Sequence, residues 1–97
     1  MALFEWDQKK NKANEEKHGL SFEDAAKVFD DPDRIQYIAS KGNERRFITV
    51  GKVIKFIVAV VYTVRSGVLR IISARQARGS EINHYLENKL KKKDDEK

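Results

Sequence analysis

Two apolar, β-branched runs constrain this chain more than any other feature: Lys55 to Val64 and Val68 to Ala74, only a few residues apart. Branched side chains fit a pleated surface, so both runs favour extended backbone. Ser66-Gly67 between them reads as a two-residue hairpin turn, which forces antiparallel pairing. The turn also sets the register. Arg65 falls opposite Val68, Thr63 opposite Arg70 and Val61 opposite Ile72. Residues opposite one another share a face, so Arg65, Thr63 and Arg70 form one polar patch. Val60, Tyr62, Val64, Leu69, Ile71 and Ser73 take the other face, and Arg75 follows them beyond the strand end. This register points Arg65 and Arg75 to opposite faces; a turn one residue longer would change these assignments.

The hairpin needs neighbours, because two strands alone are marginal. Arg34 to Ala39 and Arg45 to Val50 supply two more strands, separated by the turn cluster Ser40-Lys41-Gly42-Asn43, with Gly51 ending the second. Before them the apolar period is helical. Asp7 can cap a polar helix that runs to His18 and stops at Gly19. Ala13 is its one apolar interior residue, with Phe4 and Trp6 just ahead of it. Ser21 caps a second helix whose Phe22, Ala25, Ala26 and Phe29 face a core, and Asp31-Pro32 stops it. After Gln76 helix character returns, with Ile82, Tyr85, Leu86 and Leu90 on one face. Residues 91–97 form a charged tail expected to fray. The expected fold is α+β, in the order α-α-β-β-β-β-α, one domain over residues 1–97 with helices against a four-stranded antiparallel sheet.

Composition narrows the chemistry. The 97 residues contain no cysteine, which excludes disulfides, thiolate zinc sites and cysteine nucleophiles. Two histidines and no histidine–carboxylate cluster at ligand spacing leave no metal site to expect. No glycine-rich phosphate loop and no serine elbow are present. The longest apolar stretch has strand length, and the first residues lack a basic start and an apolar core, so a cytoplasmic protein without membrane attachment is expected. Charge is uneven. Residues 1–33 hold five Lys/Arg against nine Asp/Glu, a balance of −4; residues 34–97 hold fifteen against six, a balance of +9. The second half therefore suits a polyanion or an acidic protein.

Candidate site residues follow from that charge. Arginine presents a planar fork of donors that matches phosphate oxygens. Arg65 and Arg70 on stiff strands could hold a phosphodiester and stabilise extra charge in its transition state; an ordinary solvated sheet face has the same composition. His18, after Lys17 at a helix C-terminus, suits a general acid or a capping role. His84 sits on the last helix beside Tyr85 and is expected to be exposed. Phe22, Phe29, Phe47, Phe56 and Tyr62 suit core packing, although the Tyr62 hydroxyl could reach a site at the sheet edge.

Phe4-Glu5-Trp6-Asp7, Lys17-His18-Gly19, Ser21-Phe22-Glu23, Asp31-Pro32, Glu44-Arg45-Arg46-Phe47, Tyr62-Thr63-Val64-Arg65 and Ser73-Ala74-Arg75 occur here in one order. Over about residues 4–87 the chain resembles the BrnT-like toxins. The resemblance implies a RelE-like fold and metal-independent cleavage of RNA by transesterification, which inhibits translation. No cofactor is implied. It implies a BrnA-like ribbon-helix-helix antitoxin as partner, in a 2:2 complex that reaches operator DNA through the antitoxin. By the same resemblance His18, Glu44, Arg65 and Arg75 are the catalytic candidates, and Lys17, Tyr62 and Arg70 the substrate-binding ones. His18 or Glu44 would move protons. The chain departs from the family pattern after Gly51, where Lys52-Val53-Ile54-Lys55 replaces a common Gly-Arg pair, and at Glu81-Ile82-Asn83. A non-catalytic module that binds an antitoxin-type partner and nucleic acid is the alternative function.

Overall fold

The structure is a computed structural model and describes residues 3–95. Strand β1 (Phe4–Glu5) leads into helix α1 (Gln8–His18) and helix α2 (Phe22–Ala25), which tightens into a 3-10 turn over Ala26–Asp30. Strands β2 (Ile35–Ile38), β3 (Phe47–Val53), β4 (Phe56–Arg65) and β5 (Val68–Gln76) follow, and helix α3 (Gly79–Asp95) closes the chain. The α+β class holds, with a five-stranded sheet in the order β1-β5-β4-β3-β2. The expected four-stranded antiparallel sheet is corrected by β1, which pairs parallel to β5 through Phe4 with Leu69 and Glu5 with Arg70. Two residues are too short for a period-two pattern to register, so this strand leaves no sequence signal.

Ser66 and Gly67 both have positive φ, 51° and 78°, the two-residue turn that matches strand twist. Arg65 pairs with Val68 and Thr63 with Arg70, as the turn requires. Further along, the register shifts. Tyr62 pairs with Ile71 but Val61 pairs with Ser73, so Ile72 is the extra residue of a β-bulge. The expected Val61–Ile72 pair is therefore replaced. One added residue exchanges the faces of everything after it. Ser73 and Arg75 consequently share the face of Thr63, Arg65 and Arg70, and the expected opposition of Arg65 and Arg75 is overturned.

The helices divide between the two faces of the sheet. On the first face Phe22, Ala25 and Val28 pack against Val53, Val58, Val60, Ile71 and Ala74, with Phe4, Trp6 and Phe29 at the margin. Gly51 lies inside β3 rather than ending it, and it is a close-approach glycine: a Cβ there would meet Val28 Cγ2 at 2.9 Å and Arg34 Cβ at 3.1 Å. On the second face Tyr85 of α3 packs with Val50 and Ala59. Of the expected apolar stripe of α3, Tyr85 is buried while Leu86 and Leu90 are exposed. Lys91 to Asp95 continue α3 as helix, and the Lys92 ammonium donates to the Pro32 carbonyl at 2.8 Å. The last part of the expected charged tail, residues 96–97, lies outside the described residues.

Helix α1 docks in an unexpected way. Ala13 is exposed, and the buried residues are Asn11 and Asn14. The Asn14 side chain accepts from the Ala74 N–H at 3.1 Å and donates to the Ala74 carbonyl at 2.8 Å and the Leu20 carbonyl at 2.9 Å. Ala74 lies on the outer edge of β5 beyond the reach of β1, so the amide stands in for a missing strand partner. Asn11 accepts from the Phe22 N–H at 2.8 Å, which ties α1 to the start of α2.

Candidate nucleic-acid interface

Rows of paired residues define the second face. Row by row it carries Ile35, Val50, Ala59 and Arg75; then Tyr37, Ile48, Val61 and Ser73; then Thr63, Arg70 and Glu5; then Arg65. Helix α3 lies over the first row through Tyr85. The rows beyond it hold Arg65 and Arg70 and are not under the Tyr85 contact. The bulge at Ile72 is what places Arg65, Arg70 and Arg75 together on this face.

Each arginine has a carboxylate partner, and the geometry separates fixed from available cations. Arg75 makes two bonds to Glu81, at 2.7 and 3.0 Å, and its side chain is 21% exposed. Glu81 also accepts from the Arg78 N–H at 2.7 Å, a backward cap on the first turn of α3. The pair pushes Arg75 further up and holds Glu81 below the usual carboxylate range, chiefly through their mutual hydrogen bonds. Arg75 is thus a clamp between the end of β5 and α3. Arg65 is different. It is 60% exposed and makes one long contact with Glu44, 3.3 Å. Arg70 has a single contact with Glu5 at 3.7 Å. Long single contacts at exposed or half-buried side chains of this kind are worth about 0–1 kcal/mol, so a phosphate can exchange for them.

Glu44 gathers two guanidiniums. Its carboxylate accepts from Arg46 at 2.9 and 3.1 Å and from Arg65 at 3.3 Å. The Arg46 hydrogen bonds hold it below its ordinary range, with Arg65 adding to the effect. A carboxylate so stabilised is a weak proton acceptor and a good orienting group. Glu44 is positioned by the tight turn in which Lys41 and Glu44 exchange backbone hydrogen bonds at 3.0 and 3.1 Å.

The other sequence candidates lie elsewhere. Lys17 and His18 are exposed in the last turn of α1. His18 lines a small cavity with Leu20, Phe56, Val58 and Gln76, at the opposite end of the sheet from Arg65. Val58 and Arg65 are seven residues apart on β4, roughly 23 Å at about 3.3 Å per residue. The structure therefore joins Glu44 to Arg65, sets Arg70 and Arg75 on the same face, and leaves Lys17 and His18 outside. Tyr62 faces the core side, edge-on to Phe29, and its hydroxyl donates to Gln36 at 2.6 Å. Burial pushes the Tyr62 phenol up.

Two contributors escaped the sequence reading. Arg46 completes the Glu44 cluster, and its signal was present as the second arginine of Glu44-Arg45-Arg46. His84 is exposed as expected, but its Nδ1 lies 2.8 Å from the Tyr37 hydroxyl. That pairing joins residues far apart in the chain, and no local pattern reports it. Among the described residues no group of three or more His, Cys, Asp or Glu is arranged to hold a metal ion. No helix of the described residues is long and apolar enough to cross a membrane.

A basic α+β fold with guanidiniums gathered on one half-open sheet face has the charge that suits a polyanion. Comparison with family models is more specific: residues 6–81 match the model of the BrnT ribonuclease toxins of type II toxin–antitoxin systems, and the chain belongs to that family. The family carries ribonuclease toxin function and places the chain in a system with an antitoxin. A search of curated proteins found no match.

Proposed function

We propose that the second sheet face is the RNA site of an endoribonuclease that works without metal by transesterification. The single observation that carries this reading is that the hairpin register puts Arg65 and Arg70 on one face, with Glu44-bound Arg46 beside its uncovered part. Arg65 and Arg70 grip the scissile phosphate, whose charge rises when the 2′-hydroxyl attacks. Glu44 aims Arg65 and Arg46 instead of serving as the main base, since two guanidiniums hold its carboxylate. Arg75 fixes α3 against the sheet and so shapes the site. Lys17 and His18 stand off the cluster and suit a contact with more distant RNA.

The wider reading rests on the family. Cleavage inhibits translation, and a BrnA-like ribbon-helix-helix antitoxin neutralises the toxin in a 2:2 complex that reaches operator DNA. The site is RelE-like in kind, and the working place is the cytoplasm. One observation favours the rival reading of a non-catalytic binding module: none of the hydrogen bonds of Arg65 or Glu44 involves an imidazole.

The test is cleavage of RNA by antitoxin-free protein in the presence of a chelator. Arg65→Ala is expected to lower kcat by about 10²-fold, the scale of losing one transition-state donor, while the protein stays folded by circular dichroism. Wild-type protein that binds RNA and never cuts it would establish the binding module instead.

A further inference from the structure

We infer that His84, held by Tyr37, is the general acid of this site; the inference rests on the ribonuclease reading above. Three observations converge. Tyr37 stands in the row of Ile48, Val61 and Ser73, on the same sheet face as Arg65 and Arg70. α3 crosses that face, and His84 meets Tyr37 there, with the Tyr37 hydroxyl 2.8 Å from Nδ1 and the ring centroids 6.1 Å apart. His18, the other imidazole of the chain, lies at the far end of the sheet beside Phe56 and Gln76.

The Tyr37 contact defines which ring nitrogen works. A hydroxyl can donate to Nδ1 or accept from Nδ1–H, so it satisfies that nitrogen in either protonation state. Nε2 is then the nitrogen left to face a ligand, and it carries a proton in the imidazolium. The groups facing the ring are Tyr37 from β2, Glu81 through its field on Tyr37, and Glu87 and Lys91 from α3 itself. In the reaction the 2′-hydroxyl proton passes to solvent water. The O2′–P bond forms and the P–O5′ bond breaks. The imidazolium Nε2 proton goes to the departing 5′-oxygen, and the neutral ring keeps Nδ1–H donating to the Tyr37 oxygen. The products are a 2′,3′-cyclic phosphate and a 5′-hydroxyl. No oxidant, reductant or further reactant is needed.

The experiment compares wild type with His84→Ala, His84→Gln, Tyr37→Phe and His18→Ala on one RNA carrying a single cleaved linkage. Binding is measured separately on the same RNA with a 2′-deoxy sugar at that linkage. His84→Ala and His84→Gln are expected to lose about 10²-fold or more in kcat, with Kd for the deoxy RNA within twofold of wild type. Tyr37→Phe loses less, about tenfold. The wild-type rate is expected to fall on the alkaline side of its pH profile, and the His84 variants to lack that limb. Substrate with sulfur replacing the 5′-bridging oxygen leaves without a proton and restores the His84 variants toward the wild-type rate. Glutamine at position 84 keeps a polar partner for Tyr37, so a folding defect in the alanine variant leaves the test decisive. Wild-type rates in both His84 variants overturn the inference while the ribonuclease reading stands, as does a defect the sulfur substrate fails to rescue. Loss confined to His18→Ala moves the acid to the other end of the sheet. A wild-type protein that does not cleave overturns the parent reading and the inference together.

Discussion

Asp31 joins three separate parts of the chain through one carboxylate. Oδ2 accepts from the Lys52 N–H at 2.8 Å and the Tyr85 hydroxyl at 2.6 Å, while Oδ1 accepts from the Asp33 N–H at 2.9 Å. These bonds tie the chain stop at Asp31-Pro32, the exposed edge of β3 and helix α3 to a single side chain. Burial alone would raise its pKa. The three hydrogen bonds outweigh burial and bring it below the ordinary 3.8. A carboxylate depressed in the folded state contributes stability that is fully present above its unfolded value and lost as pH falls through the folded one. Asp31→Asn is therefore expected to cost about 1–2 kcal/mol at pH 6, the scale of a charged hydrogen bond at a partly exposed site. That difference shrinks below pH 3.8, which urea melts at pH 6, 4 and 3 would measure. A constant difference across that range would remove the carboxylate's charge from the account. The sequence showed Asp31 as a helix stop, which it is. It could not show Tyr85 and Lys52 arriving from distant elements.

Elements that advertise themselves by period were legible. The β4–β5 hairpin, its turn and the Thr63–Arg70 pair follow from side-chain alternation and Ser66-Gly67 alone. The bulge at Ile72 was not legible, because an extra apolar residue in an apolar run changes no pattern. Yet it decides which arginines share a face. Helix α1 is the opposite case: its apolar signal pointed to Ala13, and the contact is made by polar side chains. Asn14 satisfies a buried N–H and a buried carbonyl of Ala74 at once. Asn14→Ala leaves both without a partner, at about 1–3 kcal/mol for each group exposed to that penalty. A total loss of about 2–4 kcal/mol in chemical denaturation is expected. Asn14→Asp keeps the acceptor for the Ala74 N–H but faces two carbonyls with no donor, so it is expected to be no better. Retention of wild-type stability in Asn14→Ala would mean that water or β1 closes this edge instead.

For the molecule as a whole, the division of charge is the property that survives from composition to surface. The acidic first 33 residues supply β1 and the helices α1 and α2 that pack on the first face of the sheet, while the basic remainder builds β2 to β5 and the helix α3 on the second. Glu5 is the exception that carries an acid across, through a strand the sequence did not reveal, and it meets Arg70 at 3.7 Å. On the proposed reading, RNA at this face releases counterions from the phosphates it contacts and displaces carboxylates that already occupy the guanidiniums. Each single-strand phosphate contact contributes about 0.7 to the slope of log Kd against log salt. Arg65→Ala and Arg70→Ala are each expected to lower that slope by about 0.7 and to weaken binding at 50 mM salt more than at 200 mM. Arg75 already has both its outer nitrogens on Glu81, so Arg75→Ala is expected to lower stability while leaving the salt slope unchanged. Filter or fluorescence binding to a non-cleavable RNA over that salt range measures all three. If Arg75→Ala reduced the slope and Arg65→Ala did not, RNA would have to lie against α3 and not across the uncovered rows of the sheet. The Glu81 clamp would then be a gate that opens on binding.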